Sequence, residues 1–210
     1  MTDGSTPRVT PRIEPLPRDR WGEDVRTALR DGFSPAVADR FFATGPDAIP
    51  IPHVVGTLMR HPALAGPFLA YNTALLGGLS LDPRLRELMV LRVAWRTQSA
   101  YEWAQHVRMA PRVAIADDDV DAISGPPDAP RWSPLEAAAL AAVDELLEGY
   151  RVSDATWRVL ATHLDERQLV ELTFVVGTYV GLAMVFNSLG LELDPELLSV
   201  TPVPPTDHED

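Results

Sequence analysis

Residues 81–110 read LDPRLRELMVLRVAWRTQSAYEWAQHVRMA, and this stretch decides the fold. Apolar residues recur at helical spacing on both sides of the polar triplet Thr-Gln-Ser at 97–99. An Asp–Pro pair at 82–83 is a typical helix start, with proline at the first helical position. The pattern predicts two helices, Pro83–Trp95 and Ala100–Ala110, joined by a tight corner.

Four polar residues gather around this predicted corner. Ser99, Glu102 and His106 are spaced i, i+3 and i+7, so they share one face of the second helix. Glu87 lies one helix earlier and is expected to reach that face across the turn. An imidazole with an ordinary pKa near 6.5 exchanges protons at neutral pH, and carboxylates set its state. The arrangement predicts a site that handles protons.

Structural interpretations compete for the same residues. Ser99-Ala-Tyr-Glu102 has the pattern of a capping box, which by itself explains both Ser99 and Glu102. Glu87 also fits a surface glutamate paired with Arg84 or Arg86. The sequence leaves these alternatives open.

The stretch resembles the carboxymuconolactone decarboxylase / alkylhydroperoxidase D-like family. That family has a glutamate, a Cys-x-x-Cys pair beginning twelve positions later, and a histidine four beyond the second cysteine. Glu87 and His106 match its glutamate and histidine, whereas Ser99 and Glu102 stand where the cysteines would be. The resemblance covers roughly residues 50–195. The chain resembles the branch that lacks the cysteine pair.

The resemblance implies an all-α, alkylhydroperoxidase D-like helical bundle that oligomerises. It implies His106, Glu87 and Glu102 as catalytic residues and Ser99 as a substrate-binding residue. Tyr101 and Trp103 flank the motif and are candidates to line the pocket for a ring-bearing substrate, although aromatic residues at a helix start are more often core. The expected function is cofactor-independent acid/base chemistry, such as decarboxylation, on a small carboxylated or lactone-type molecule. The alternative is a non-catalytic oligomeric protein of the same fold that binds a small molecule.

The amino-acid composition and net charge argue against several classes of function. The chain has 210 residues, a net charge of −12 and no cysteine, which excludes disulfides and thiol peroxidase chemistry. The absence of a basic stripe argues against nucleic-acid binding, and the acidic balance argues against anionic membranes. Neither metal-ligand spacing nor a phosphate-binding glycine loop is present, so no metal or cofactor is expected. The cytoplasm is the expected compartment.

Outside this corner, every periodic segment is predicted to be helical, in a single domain spanning residues 21–200. Residues 1–20 are expected to form an extended, proline-rich arm, and 201–210 a disordered tail. The stretch 174–186 is taken as too short and too polar to span a bilayer. The apolar run 169–182 is more than one small helical body covers, which predicts self-association. Further predicted helices are Arg20–Asp31, Pro35–Ala43, Ile51–Met59, Pro62–Leu76, Asp117–Ile123, Pro134–Gly149, Asp154–Leu164, Glu166–Gly177 and Tyr179–Leu189.

Overall fold

A computed structural model describes residues 10–45 and 48–206 of the chain. Ten α-helices and three short 3-10 helices occupy these residues, and no strand occurs in them. The all-α prediction is therefore confirmed. The described residues form two compact units, one from 10–45, 48–79 and 188–194, the other from 80–187 and 195–206. The assignment of 21–200 to one domain stays a prediction.

The first unit is built around two closely packed helices, α1 (Glu23–Gly32) and α4 (Pro62–Gly77). Gly32 of α1 allows their approach, because a Cβ placed there would lie 2.2 Å from the Cβ of Leu69 on α4. The Thr73 hydroxyl then donates to the Gly32 carbonyl at 2.7 Å. The helices are α1 (Glu23–Gly32), α2 (Pro35–Arg40), α3 (His53–Leu58) and α4 (Pro62–Gly77).

The second unit is organised around helix α5 (Pro83–Arg96), which is buried on nearly all sides. Ten of its fourteen residues are buried, including the charged Arg92 at 3% exposure. Arg92 makes a bidentate contact with Asp144 of α8 at 2.9 and 2.6 Å and also donates to the carbonyls of Ile123 and Gly125, so its charge is paired. The helices are α5 (Pro83–Arg96), α6 (Ala100–Met109), α7 (Asp117–Ala122), α8 (Pro134–Gly149), α9 (Asp154–His163) and α10 (Glu166–Leu189).

The corner between α5 and α6 is a Schellman motif with an unusual residue in it. Gln98 takes the left-handed conformation (φ 51°) that glycine normally supplies. The amide of Ser99 donates to the Ala94 carbonyl at 2.9 Å and that of Gln98 to the Trp95 carbonyl at 3.1 Å. The Gln98 side chain reinforces the turn through bonds to the carbonyls of Trp95 (2.7 Å) and Pro204 (2.9 Å).

Helix α10 corrects the prediction of two helices, because it runs unbroken through Gly177. An interior glycine costs about 1 kcal/mol relative to alanine, and burial of Val175, Val176 and Tyr179 offsets that cost. The helix has 24 residues, so it is longer than the stretch 174–186 that was expected to be too short to span a bilayer. Among the described residues it is the one helix long and apolar enough to cross a membrane, by length and composition alone. Core helices of soluble proteins meet the same criteria.

The termini pack more closely than their composition suggests. The Leu16 amide donates to the Gly56 carbonyl at 2.9 Å, so the described part of the arm lies on the first unit. Within the expected disordered tail, the carbonyl of Thr201 accepts from Trp103 Nε1 at 2.9 Å and that of Pro204 accepts from Gln98. These donors lie about 100 positions earlier in the chain, so local composition does not predict the contacts, and disorder of residues 201–210 stays a prediction. Residues 1–9 and 207–210 lie outside the described residues.

Gln98 offers a test of the corner. Gln98→Ala keeps a Cβ in the left-handed region and loses both side-chain bonds, whereas Gln98→Gly removes the strain. We expect the Gly variant to be more stable than the Ala variant by about 1 kcal/mol in urea unfolding. At the exposed helical position Arg158 the order should reverse, with Gly less stable than Ala by about 1 kcal/mol. The same order at both positions would contradict the strained corner.

Candidate functional site

Helix α5 places Glu87 inside the protein. Its side chain is 1% exposed, and its neighbours Leu85 and Leu88 are also buried. Arg84, one candidate partner, instead pairs with Glu136 at 2.9 Å and Asp119 at 3.1 Å. Glu87 is therefore an interior carboxyl group and not a surface glutamate.

Glu87 and His106 form a buried hydrogen-bonded pair between α5 and α6. His106 Nδ1 lies 2.8 Å from Glu87 Oε1, and the two side chains are 8% and 1% exposed. An ionised carboxylate only accepts, so Nδ1 carries the hydrogen when Glu87 is ionised. The other ring nitrogen, Nε2, is then the one that can exchange a proton with a bound molecule.

The capping box expected at Ser99 does not form. The Ser99 side chain makes no cap hydrogen bond to α6. The Ser99 amide, which Glu102 would have to accept, is already donated to the Ala94 carbonyl in the Schellman turn. By contrast, Ser133 and Glu136 at the start of α8 complete the reciprocal box at 3.2 and 2.9 Å. The helix start at Ser99 thus leaves Glu102 without the backbone partner that capping would supply.

Glu102 is a buried carboxyl group without a hydrogen-bond partner. Glu102 is 2% exposed, and neither of its carboxylate oxygens nor Ser99 Oγ has a partner within the described part of the chain. Burial raises the pKa of Glu102 from 4.5 to about 8. The Ser99 hydroxyl is near enough to oppose this shift, although the two groups lack hydrogen-bond geometry. At neutral pH the group is therefore mostly a neutral acid that can donate a proton.

Tyr179 of α10 joins the group, and the sequence analysis missed it. Its ring meets the His106 ring edge to face, with centroids 5.1 Å apart. Burial and the nearby carboxyl groups of Glu87 and Glu102 raise the pKa of its phenol, so it remains a neutral donor. A tyrosine on the buried face of an apolar helix was the available signal, because a buried hydroxyl needs a polar neighbour.

The two aromatic candidates from α6 are placed differently. Tyr101 is 4% exposed and packs edge to face against Phe186 with centroids 5.6 Å apart. Trp103 belongs to the core of the second unit, together with Leu88, Leu91 and others, and its indole N–H is bonded to Thr201. This placement favours the core interpretation of Trp103.

Together these residues carry two kinds of proton-transfer group side by side. The His106–Glu87 pair can hold or release a proton at the imidazole, and Glu102 can supply one as a neutral acid. The arrangement is suited to acid/base chemistry on a molecule that reaches Nε2.

The raised pKa of Glu102 predicts a pH-dependent cost in stability. Because the pKa of Glu102 is about 8 in the folded protein and its ordinary value is 4.5, the folded protein keeps a proton that the unfolded chain loses. Stability from this group is complete below about 4.5 and is lost as pH rises through about 8. We expect Glu102→Gln to stabilise the protein by roughly 3–5 kcal/mol at pH 9 and by little near pH 4.5, as measured by urea unfolding.

The matched control is Glu14→Gln, a change at an exposed glutamate, which should leave the stability curve unchanged. A Glu102→Gln effect that is the same at both pH values would contradict the neutral, buried acid.

Residues 62–145 match the carboxymuconolactone decarboxylase family, a segment that contains Glu87, Ser99, Glu102 and His106. No curated protein matched the chain.

Solved structures share the fold at low sequence identity. An uncharacterized peroxidase-related protein from Ralstonia eutropha JMP134, described as an alkylhydroperoxidase AhpD core, has a TM-score of 0.70 at 18% identity over 96% of this chain and 100% of its own. A peroxidase-related protein from Silicibacter sp. TM1040 has 0.67 at 14% over 95% and 98%. A variant of the debrominase Bmp8 in complex with 2,3,4-tribromopyrrole has 0.69 at 14% over 90% and 95%. Residues 62–145 are therefore similar to the carboxymuconolactone decarboxylase family, and the fold of the chain is that of the AhpD-like proteins.

Proposed function

We propose that the chain is a cofactor-independent enzyme that performs general acid/base chemistry on a small molecule. The observation that carries the proposal is the buried 2.8 Å contact between His106 Nδ1 and Glu87 Oε1. One helical turn before His106 on α6, Glu102 is a second buried carboxyl group, with a pKa of about 8. Buried proton donors and acceptors without further partners are costly to stability, and they concentrate at functional sites. The family and fold support an enzyme that acts on small molecules.

The reaction that fits best is decarboxylation or a related proton transfer on a carboxylated or lactone-type substrate. When the carbon–carboxylate bond breaks, carbon dioxide leaves and the bonding pair remains on the substrate as an enolate. The enolate carbon must then take a proton. Protonated His106, through Nε2, or neutral Glu102 supplies it, and Glu87 stabilises the imidazolium before transfer. Proton and electron pair balance without an outside oxidant or reductant.

Thiol peroxidase chemistry does not fit this chain, although two similar structures are described as peroxidase-related. Such chemistry cycles between two thiols and a disulfide, and the chain contains no cysteine. Ser99 and Glu102 occupy the positions of the thiols, and neither side chain undergoes that oxidation. The debrominase shows that this fold accommodates a small ring-bearing ligand in another protein.

Residues around the acid/base groups supply the binding surface in this proposal. Ser99 Oγ and the carboxyl oxygens of Glu102 have no hydrogen-bond partner among the described residues, and they are buried away from water. A polar group of a substrate that bonds to them would supply the missing hydrogen bonds. Tyr179, which lies close enough to Glu102 for the carboxyl group to raise its pKa, adds aromatic surface. Tyr101, which packs against Phe186, is a second aromatic candidate. Trp103 acts through packing of the core.

The proposal predicts a specific loss of activity. Small carboxylic acids and lactones are screened for carbon dioxide release and for exchange of substrate C–H hydrogens in D₂O. For a turned-over compound, His106→Ala should lower kcat/KM by roughly 10²–10⁴-fold, because the proton-transfer group is removed. The control His163→Ala changes an exposed histidine on α9 and should leave the rate unchanged.

Two results would count against the proposal. Equal activity of His106→Ala and the unaltered protein would remove His106 from the chemistry. A compound that binds beside His106 with micromolar affinity, in a screen that detects no turnover or hydrogen exchange, would favour a non-catalytic binding protein.

A further inference from the structure

The hydroxyl group of Tyr179 is a hydrogen-bond donor to which the proposed chemistry gives no task. Tyr179 is 4% exposed, and its ring lies edge to face on the His106 ring with centroids 5.1 Å apart. Within the described part of the chain its hydroxyl makes no hydrogen bond, whereas the equally buried hydroxyl of Tyr101 accepts one from Gln105 Nε2 at 3.2 Å. A buried phenol normally has a polar partner, so the Tyr179 hydroxyl remains available for a bound molecule.

Helix α10 fixes the position of Tyr179 from both sides. Glu171, eight residues earlier, accepts a hydrogen bond from the amide of Ser80 at 2.8 Å. Asn187, eight residues later, donates to the carbonyl of Thr97 at 2.8 Å. A donor that is held in this way needs little rearrangement when a charge develops beside it, and such donors are the ones that stabilise an anionic transition state.

The carboxyl group of Glu102 is a second donor near the phenol. Glu102 lies on α6 one helical turn before His106, the residue on which the Tyr179 ring packs. It is close enough to Tyr179 for its charge to raise the pKa of the phenol. Both groups are mostly neutral at pH 7, Glu102 because its own pKa is about 8, so each has an O–H hydrogen to donate. A phenol together with a neutral carboxylic acid suits the oxygen of an enolate.

The charged groups that act on Tyr179 come from α5 and α6. Glu87 of α5 and Glu102 of α6 raise the pKa of the phenol, and Arg86 of α5 acts in the opposite direction. Arg86 is half-buried, and its positive charge lowers the energy of an oxyanion that the phenol binds. Repulsion by Glu87 is reduced when His106 is protonated, because the imidazolium balances the charge of Glu87.

We propose that Tyr179 and neutral Glu102 form an oxyanion site, in which both O–H groups donate hydrogen bonds to a substrate oxygen while protonated His106 delivers a proton to carbon. This inference rests on the proposed function and narrows its substrate class. The substrate carries a carbonyl oxygen conjugated to the carbon that bears the carboxylate, as in a β-keto acid or its vinylogue. Without that oxygen, the electron pair of the broken bond has no atom on which the two donors can stabilise it.

Atoms and charges balance in the reaction that this site performs. The carbon–carboxylate bond breaks, carbon dioxide leaves, and the bonding pair moves to the carbonyl oxygen, which becomes the enolate oxygen. Tyr179 and Glu102 keep their protons, because they stabilise that oxygen through hydrogen bonds alone. His106 Nε2 then gives its proton to the enolate carbon, the carbonyl re-forms, and neutral His106 takes a new proton from water.

The first test uses 4-nitrophenol as an enolate mimic and does not require a known substrate. Its phenolate carries a delocalised charge on an oxygen in the plane of the ring, and phenol and phenolate absorb at different wavelengths. We expect the protein to bind the phenolate in an absorbance titration at pH 7. Tyr179→Phe keeps the ring and removes the hydroxyl, so it should weaken binding roughly 10- to 100-fold. Tyr150→Phe, the same change at a residue that is 88% exposed, should leave the affinity unchanged.

Glu102 gives this binding a pH dependence with a defined sign. The affinity per phenolate anion should fall as pH rises through about 8, because Glu102 loses the hydrogen that it donates and gains a charge that repels the anion. Glu102→Gln keeps an N–H donor and does not ionise, so its affinity should not fall over this range. No phenolate binding, an affinity that Tyr179→Phe leaves unchanged, or one that stays constant through about pH 8 in the unaltered protein overturns the oxyanion site.

Kinetics on a turned-over substrate separate this inference from the proposed function. Tyr179→Phe should lower kcat by roughly 10²–10³-fold with little change in KM, because the oxyanion develops only as the bond breaks. Glu102→Gln should retain most of the activity, since its amide still donates a hydrogen bond. A loss in Glu102→Gln as large as in His106→Ala would make Glu102 the proton source and overturn the assignment of Glu102 to the oxyanion site.

The two proposals can also fail independently of each other. Loss of turnover in His106→Ala together with an unchanged kcat in Tyr179→Phe would uphold the acid/base function and overturn the oxyanion site. Phenolate binding that depends on the Tyr179 hydroxyl, without turnover of any compound screened, would uphold the oxyanion site and contradict the proposed reaction.

Discussion

The amide of Ser99 is the constraint on which the site depends. A single N–H cannot both close the α5 helix and cap α6 through Glu102, and in this chain it donates to the Ala94 carbonyl. The left-handed conformation of Gln98 directs the Ser99 amide to the Ala94 carbonyl, and side-chain hydrogen bonds of Gln98 hold that conformation. The tight corner sets α6 against α5 so that His106 meets Glu87. It also releases Glu102 from the backbone and leaves its carboxyl group buried.

Chemistry and stability oppose each other at this corner. A buried, unpartnered carboxyl group lowers stability at high pH, and a replacement such as glutamine removes that cost. The same burial raises the pKa of Glu102 to about 8, which makes it an acid at neutral pH. The pair formed by Glu87 and His106 differs from Glu102, because each of its two groups has the other as a hydrogen-bond partner. The site thus combines a paired proton carrier with an isolated acid, a combination that thiols at the same positions would not provide.

Much of the fold follows from local patterns. The helices predicted to begin at Pro83 and Pro134 are confirmed, because a helix start depends on residues within one turn, and a capping box forms at Ser133 for the same reason. The false capping box at Ser99 has the same sequence pattern, but the conflicting bond comes from α5, which a four-residue pattern does not contain. Tyr179 and the contacts of residues 201–206 were missed for a similar reason, since their partners are about 70 to 110 positions away. The site residues Glu87 and His106 were predicted through the family resemblance, because spacing alone left their roles open.

Whether Glu102 is a neutral acid at pH 7 can be measured directly. Carbon-13 NMR of the side-chain carboxyl groups, with the Glu102 signal assigned by its absence in Glu102→Gln, follows its titration between pH 4 and pH 10. The account predicts a midpoint near 8 in the folded protein. A midpoint near 4.5, the ordinary value for glutamate, would show that Glu102 is ionised at neutral pH and would contradict its role as a neutral acid one turn from His106.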